Sequence, residues 1–145
     1  MDVAGVDQSK LSRTLAWTQG GYYLATGLWP ILHLRSFEKL TGPKPEGWLT
    51  KTLGGVIAAV GATFVLAAQR KHVSLEMRVL GFTSALAFAV SDTLYPMKGR
   101  IAKTYLADAL PQLMLAAGWL AASRRRSRVK HKVRAEAYEA TLLTV

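Results

Sequence analysis

"TLGGVIAAVGATFVLAAQ", residues 52–69, runs for eighteen positions without one charged side chain. A helix rises ~1.5 Å per residue and bilayer hydrocarbon is ~30 Å thick, so this stretch is close to the length that crosses a membrane. Trp48 stands just before it, where an aromatic residue at the membrane–water interface belongs. Reading this stretch as a span sets the reading of its neighbours.

Outward from it lie three more apolar stretches. "TLAWTQGGYYLATGLWPILHL", 14–34, has His33 as its one group that titrates near neutral pH. "VLGFTSALAFAVSDTLYPM", 79–97, carries one acid, Asp92, and "TYLADALPQLMLAAGWLAAS", 104–123, carries Asp108. The expected fold is all-α: a four-transmembrane-helix bundle with short loops and both termini on the same side. It forms a single integral membrane domain over 1–145, with a basic cytoplasmic tail at 124–145. The first segment is expected to be retained, because it exceeds a usual signal core and leads into Trp29-Pro30 rather than small residues.

Of 145 residues half are apolar, yet nineteen are Lys or Arg against nine Asp or Glu. Charge falls in blocks between the apolar stretches, which is not the pattern of a soluble core. The absence of cysteine excludes disulfides, a thiolate nucleophile, iron–sulfur clusters and cysteine zinc sites.

With four spans, the N-terminus, the 70–78 loop and the tail share one side and carry twelve Lys and Arg, against seven on the other. The positive-inside rule then places both termini in the cytoplasm, in the cytoplasmic (inner) membrane of a bacterium. Seven of the twelve lie in "RRRSRVKHKVR", 124–134. Directly after a span, such a run is expected to set topology and attract anionic headgroups, at about 1 kcal/mol per cation, rather than bind nucleic acid.

Helices in lipid pack through small residues. Gly54, Ala58 and Ala62 recur every four positions on the second span, as do Gly81, Ala85 and Ala89 on the third; a seam within the monomer or between copies fits both. Gln19, Tyr22, Thr26, Trp29 and His33 form a polar-aromatic stripe on the first span. Tyr105, Asp108, Gln112, Leu115 and Trp119 form another on the fourth, and Ser84, Phe88, Asp92 and Tyr95 lie close to one face of the third. Polar groups in hydrocarbon need partners, so these stripes are expected to face one another.

At the non-cytoplasmic end the topology gathers His33, Arg35, Glu38, Asp92, Tyr95, Arg100, Tyr105 and Asp108 into one layer. Two readings stay open: ion pairs, with Arg35 or Arg100 neutralising Asp92 or Asp108, or a ligand, proton or partner site. His33 is the one His in the spans, so no metal set and no bis-histidine haem is expected within one chain. Gly-Pro-Lys-Pro at 42–45 lacks the spacing of a phosphate-binding loop. No cofactor is expected.

"TGLWPILHLRSFEKLTGPK" (26–44), "WLTKTLG" (48–54) and "SDTLYPMKGRIAKTYLADA" (91–109) together resemble uncharacterised small bacterial membrane proteins with four helices. The likeness spans most of residues 15–122 and implies a bundle in the cytoplasmic membrane with no catalytic assignment. A looser layout, with Gly-rich spans around a first helix ending in "FEKLTG", is similar to DoxX-like proteins.

The expected role is non-enzymatic: the polar layer binds a small ligand or lipid, or docks a membrane partner. The alternatives are an accessory subunit of a larger membrane complex and a small proton-linked carrier. Span two, polar only at Thr52, Thr63 and Gln69, offers a carrier little of a path.

Overall fold

The computed structural model describes the backbone of residues 3–142 and the side chains of residues 9–123. Within these limits the chain is entirely helical, with four helices and no strand: α1 (Val3–Thr41), α2 (Gly47–Ala68), α3 (Leu75–Met97) and α4 (Tyr105–Leu142). The helical backbone of α4 continues through 124–134, so the basic run extends the fourth helix; its side chains lie outside the described residues.

Local chemistry sets the ends. Ser74 caps α3 by accepting from Met77 N–H at 3.4 Å, and Glu76 in the first turn suits the positive end of the helix. The Glu76 carboxyl is held below its usual range by its own backbone N–H and by Ser74. At the other end of α3, Gly99 N–H bonds Pro96 C=O and Arg100 N–H bonds Tyr95 C=O, both at 3.0 Å. This closing turn needs a left-handed residue, and Gly99 supplies it with φ 66°.

α1 is broken within. Pro30 has no N–H for the helical ladder, and His33 leaves helical geometry at φ −149°, ψ 69°. The chain restarts there as at a new helix: His33 Nδ1 accepts from Ser36 N–H at 3.2 Å, as a capping side chain does. Ser36 Oγ donates to His33 C=O and accepts from the Trp29 indole at 2.7 Å, while Trp29 meets Phe37 edge-on at 5.7 Å. "GLWPILHLRSFEKL" is thus a fixed bend that turns the end of α1.

Two antiparallel hairpins make the bundle. α1 packs most extensively on α2 and α3 on α4, and α1 joins the two pairs, chiefly through α4. Between α1 and α2 the backbones touch. A Cβ on Gly27 would lie 2.6 Å from both Ala58 N and Gly54 O, and one on Gly61 would lie 2.7 Å from Leu24 N and 2.8 Å from Gly20 O. Gly20 opposes Gly61 and Gly27 opposes Gly54, so a seven-residue step along α1 matches a seven-residue step back along α2. The four-residue repeat expected on α2 holds at Gly54 and Ala58, and then the buried position is Gly61 rather than Ala62. Each step of four overshoots a 3.6-residue turn by about 40°, so the strict repeat walks off the contact face. On α3 the expected Gly81, Ala85 and Ala89 are buried and the line continues to Asp92.

The core is aromatic at its centre. Tyr23, Phe64 and Trp119 are buried together, with Tyr23 edge-on to Phe64 at 6.4 Å and to Phe88 at 5.6 Å. The large aliphatics point the other way: Leu32, Leu53, Val56, Leu66, Leu110 and Met114 are all exposed. Among the described residues one helix, α2, is long and apolar enough to cross a membrane, and 33% of its most apolar window is buried inside the bundle. The apolar stretches of α1, α3 and α4 carry more polar residues, some buried, as Gln19, Asp92 and Gln112 are, and some exposed, as Thr18, His33 and Thr83 are.

Candidate functional site

Polar side chains from α1, α3 and α4 meet along the bundle axis. Gln19 is completely buried (0% exposed), and all of its hydrogen-bonding ends in view are satisfied by the other two helices. Trp119 Nε1 donates to Gln19 Oε1 at 2.6 Å, and Gln19 Nε2 donates to Gly81 C=O and Ser84 Oγ, each at 3.1 Å. Gly81 has no side chain for a steric reason: a Cβ there would fall 2.5 Å from the Trp119 ring. The indole therefore lies over α3 and reaches across to Gln19.

The chain continues through Tyr23. Its hydroxyl lies 3.3 Å from both Ser84 Oγ and Gln112 Oε1, and its one proton serves one of them at a time. Ser84 Oγ accepts from Gln19 and Tyr23 and itself donates to Gly81 C=O at 3.4 Å, so the chain is anchored on the backbone of α3. Asp108 lies one helical turn before Gln112, which puts the Gln112 amide beside its carboxyl. Asp108 lies in the first turn of α4, where the helix N-terminus also favours negative charge.

Asp92 is different. Its side chain is buried (5% exposed), yet Oδ2 has no hydrogen-bond partner. It sits in the C-terminal half of α3, where the helix dipole gives an anion no help.

The eight residues of the expected outer layer lie on the last third of α1, the end of α3 with the turn after it, and the first turn of α4. Thr104 Oγ1 donates to Leu40 C=O at 2.8 Å, and Lys44 Nζ lies 5.2 Å from the centre of the Tyr105 ring, which ties the α1–α2 loop to the start of α4. They do not form one charged cluster. Glu38 accepts from Lys44 N–H at 3.1 Å and holds the Gly-Pro-Lys-Pro turn. His33 caps the bend, Arg35, Tyr95 and Arg100 are exposed, and Tyr105 is half-buried. Among the described residues no ion pair joins Arg35 or Arg100 to Asp92 or Asp108. The bend at His33 explains Arg35, because it turns the end of α1 and leaves this residue on the surface.

The inward stripe is partly rephased. Gln19 and Gln112 lie in the interior chain, whereas Tyr22 and Thr26 are half-buried and Trp29 is exposed. Thr26 Oγ1 donates to Tyr22 C=O at 2.9 Å, within its own helix. Tyr23 takes the interior place expected of Tyr22. A signal for it was present: Gly20, Tyr23, Gly27 and Pro30 are spaced 3, 4 and 3, and glycines mark the face on which a membrane-type helix packs. Among the described residues no three His, Asp or Glu side chains are arranged to hold a metal ion. No protein-family model, curated protein or solved structure matches the chain.

Proposed function

We propose that the chain is a small integral membrane protein whose four helices all cross the bilayer, and that its interior polar chain holds a small ligand near the outer end. One observation carries this reading: a hydrogen-bonded polar chain is buried among small and aromatic residues while large aliphatics cover the outside. Gln19 is wholly inaccessible and hydrogen-bonded across three helices, while Leu32, Leu53, Leu66 and Met114 face outward. In water that arrangement hides polar groups and wets aliphatic ones; in lipid both choices are favourable. The spans proposed at about 14–34, 52–69, 79–97 and 104–123 fall on the four helices, of which α2 among the described residues is long and apolar enough to cross a membrane, and the twelve-to-seven division of Lys and Arg favours cytoplasmic termini.

The basic run at 124–134 then lies at the inner leaflet, where anionic headgroups attract it. A second reading is the docking of a membrane partner or a second copy, and α2 favours it. That helix packs chiefly on α1 and keeps most of its apolar window outside the bundle.

The cysteine-free chain allows a direct test. Cysteine placed at Lys44 or Gly99 is expected to react with an impermeant maleimide from the non-cytoplasmic side, and cysteine at Lys71 only after the membrane is opened. The opposite pattern inverts the topology, and recovery in the soluble fraction defeats the membrane reading. A stoichiometric protein retained in mild detergent supports docking, whereas a monodisperse particle carrying a small molecule in native mass spectrometry supports the binder.

A further inference from the structure

We propose that Asp92 is the counter-ion of an interior site for a small primary ammonium, a monovalent cation that bears N–H groups. The proposal rests on the reading that the interior polar chain holds a ligand, and it names that ligand's chemistry. Its anchor is the Asp92 side chain, 5% exposed with Oδ2 buried and unpartnered. Buried carboxylates are held by hydrogen bonds or by positive charge, so such an oxygen calls for a donor.

No described side chain supplies that donor. The Tyr23 hydroxyl of α1 has one proton, and it serves Ser84 or Gln112. Lys98 and Arg100, the cations that follow Asp92 in sequence, are exposed, as is Arg35. The two acids are therefore unlike. Asp108 has Gln112 and the N-terminus of α4, and Asp92 has neither.

The chemistry of Asp92 also selects the cation. Its buried carboxylate offers an unpartnered acceptor and a negative charge, and a primary ammonium brings three donors and one positive charge. A quaternary ammonium has the charge without the donors. An anion is opposed by the carboxylate. A bare divalent metal is poorly served, since among the described residues no three His, Asp or Glu side chains are arranged to hold one.

The test uses the full chain purified in mild detergent, with methylammonium chloride as probe and tetramethylammonium chloride and sodium chloride at equal ionic strength as comparisons. Methylammonium is expected to raise the unfolding midpoint saturably, in proportion to the logarithm of its concentration above its Kd, while the other two salts do not. Asp92→Asn keeps the shape and removes the charge. It is expected to weaken methylammonium binding by about 10- to 100-fold, the loss of one hydrogen bond to a charged group. Glu46→Gln, at an exposed acid of the α1–α2 loop, is expected to leave it unchanged.

Equal shifts from all three salts, no shift from methylammonium, or undiminished binding by Asp92→Asn each overturns the site. The comparison among salts on the unmodified chain decides the matter if the variant does not fold. Failure here with the expected maleimide pattern removes the ammonium site and leaves the four-span reading standing; recovery of the protein as a soluble species removes the latter.

Discussion

α1 meets its neighbours in two opposite ways. Toward α2 it presents Gly20 and Gly27 and lets backbone touch backbone; toward α3 and α4 it presents Gln19 and Tyr23 and joins them by side-chain hydrogen bonds. The first contact depends on having no side chain, so its tolerance is set by fractions of an ångström. The second depends on every partner being present, so its tolerance is set by whether a polar atom is left alone. Steric and polar specificity thus meet on one helix, and Tyr23 serves both: its Cβ borders Gly61 of α2, and its hydroxyl joins the polar chain to α3 and α4.

The largest expected effect lies where the two principles meet. Trp119→Ala removes a fully buried indole and leaves Gln19 Oε1 without its donor, and a loss of about 3–5 kcal/mol is expected from the cavity alone. Unfolding in detergent followed by circular dichroism measures it, and a loss under ~1 kcal/mol would mean that the aromatic centre is not packed as described.

Next comes the seam. In Gly27→Ala the new methyl meets the backbone of Gly54 and Ala58, which no rotamer change relieves, so a loss of about 1–3 kcal/mol is expected. The comparison breaks if this substitution is neutral in the same unfolding assay.

Tyr23→Phe deletes the hydroxyl between Ser84 and Gln112 and keeps the ring against Phe64 and Phe88. Hydrogen bonds between membrane helices average ~0.6 kcal/mol and reach ~1.7, so a loss in that range sharpens the contrast with the seam. A loss exceeding that of Gly27→Ala reverses the ranking of the two faces.

The smallest effect has the opposite sign. Gly21 adjoins seam residue Gly20, yet a Cβ on it meets nothing within 4 Å. Gly21→Ala is therefore expected to stabilise by up to about 1 kcal/mol through helix propensity. Destabilisation there, seen as a lowered unfolding midpoint, would show that the seam is wider than one line of glycines.

Much of this was legible in the chain. The uncharged run at 52–69 announced α2, and Gly81, Ala85 and Ala89 announced the packed face of α3, because a helix that must approach another closely has few residue types to choose from. Gln112 and Trp119 were legible as interior groups for a related reason: a polar atom within an apolar stretch needs a partner. Tyr23 was not, because Gln19, Tyr22 and Thr26 offer an equally regular polar line, and a rotation of one residue separates the two. The Arg35 pairing failed for a different reason, since spacing along an unbroken helix carries no record of the bend at His33.

The sequence by itself determined that the chain is helical, where its four helices run, and which of their residues are too polar to be left alone in an apolar setting, because length, periodicity and side-chain chemistry are local properties. Tertiary structure alone decided which polar groups found partners. Gln19, Tyr23, Ser84, Gln112 and Trp119 come from three helices and up to 100 positions apart, and their distances depend on how Gly20, Gly27 and Gly81 let the helices approach. The same packing buried Asp92 and left its Oδ2 unpartnered, whereas the support of Asp108, from Gln112 and the N-terminus of its own helix, is local to the sequence.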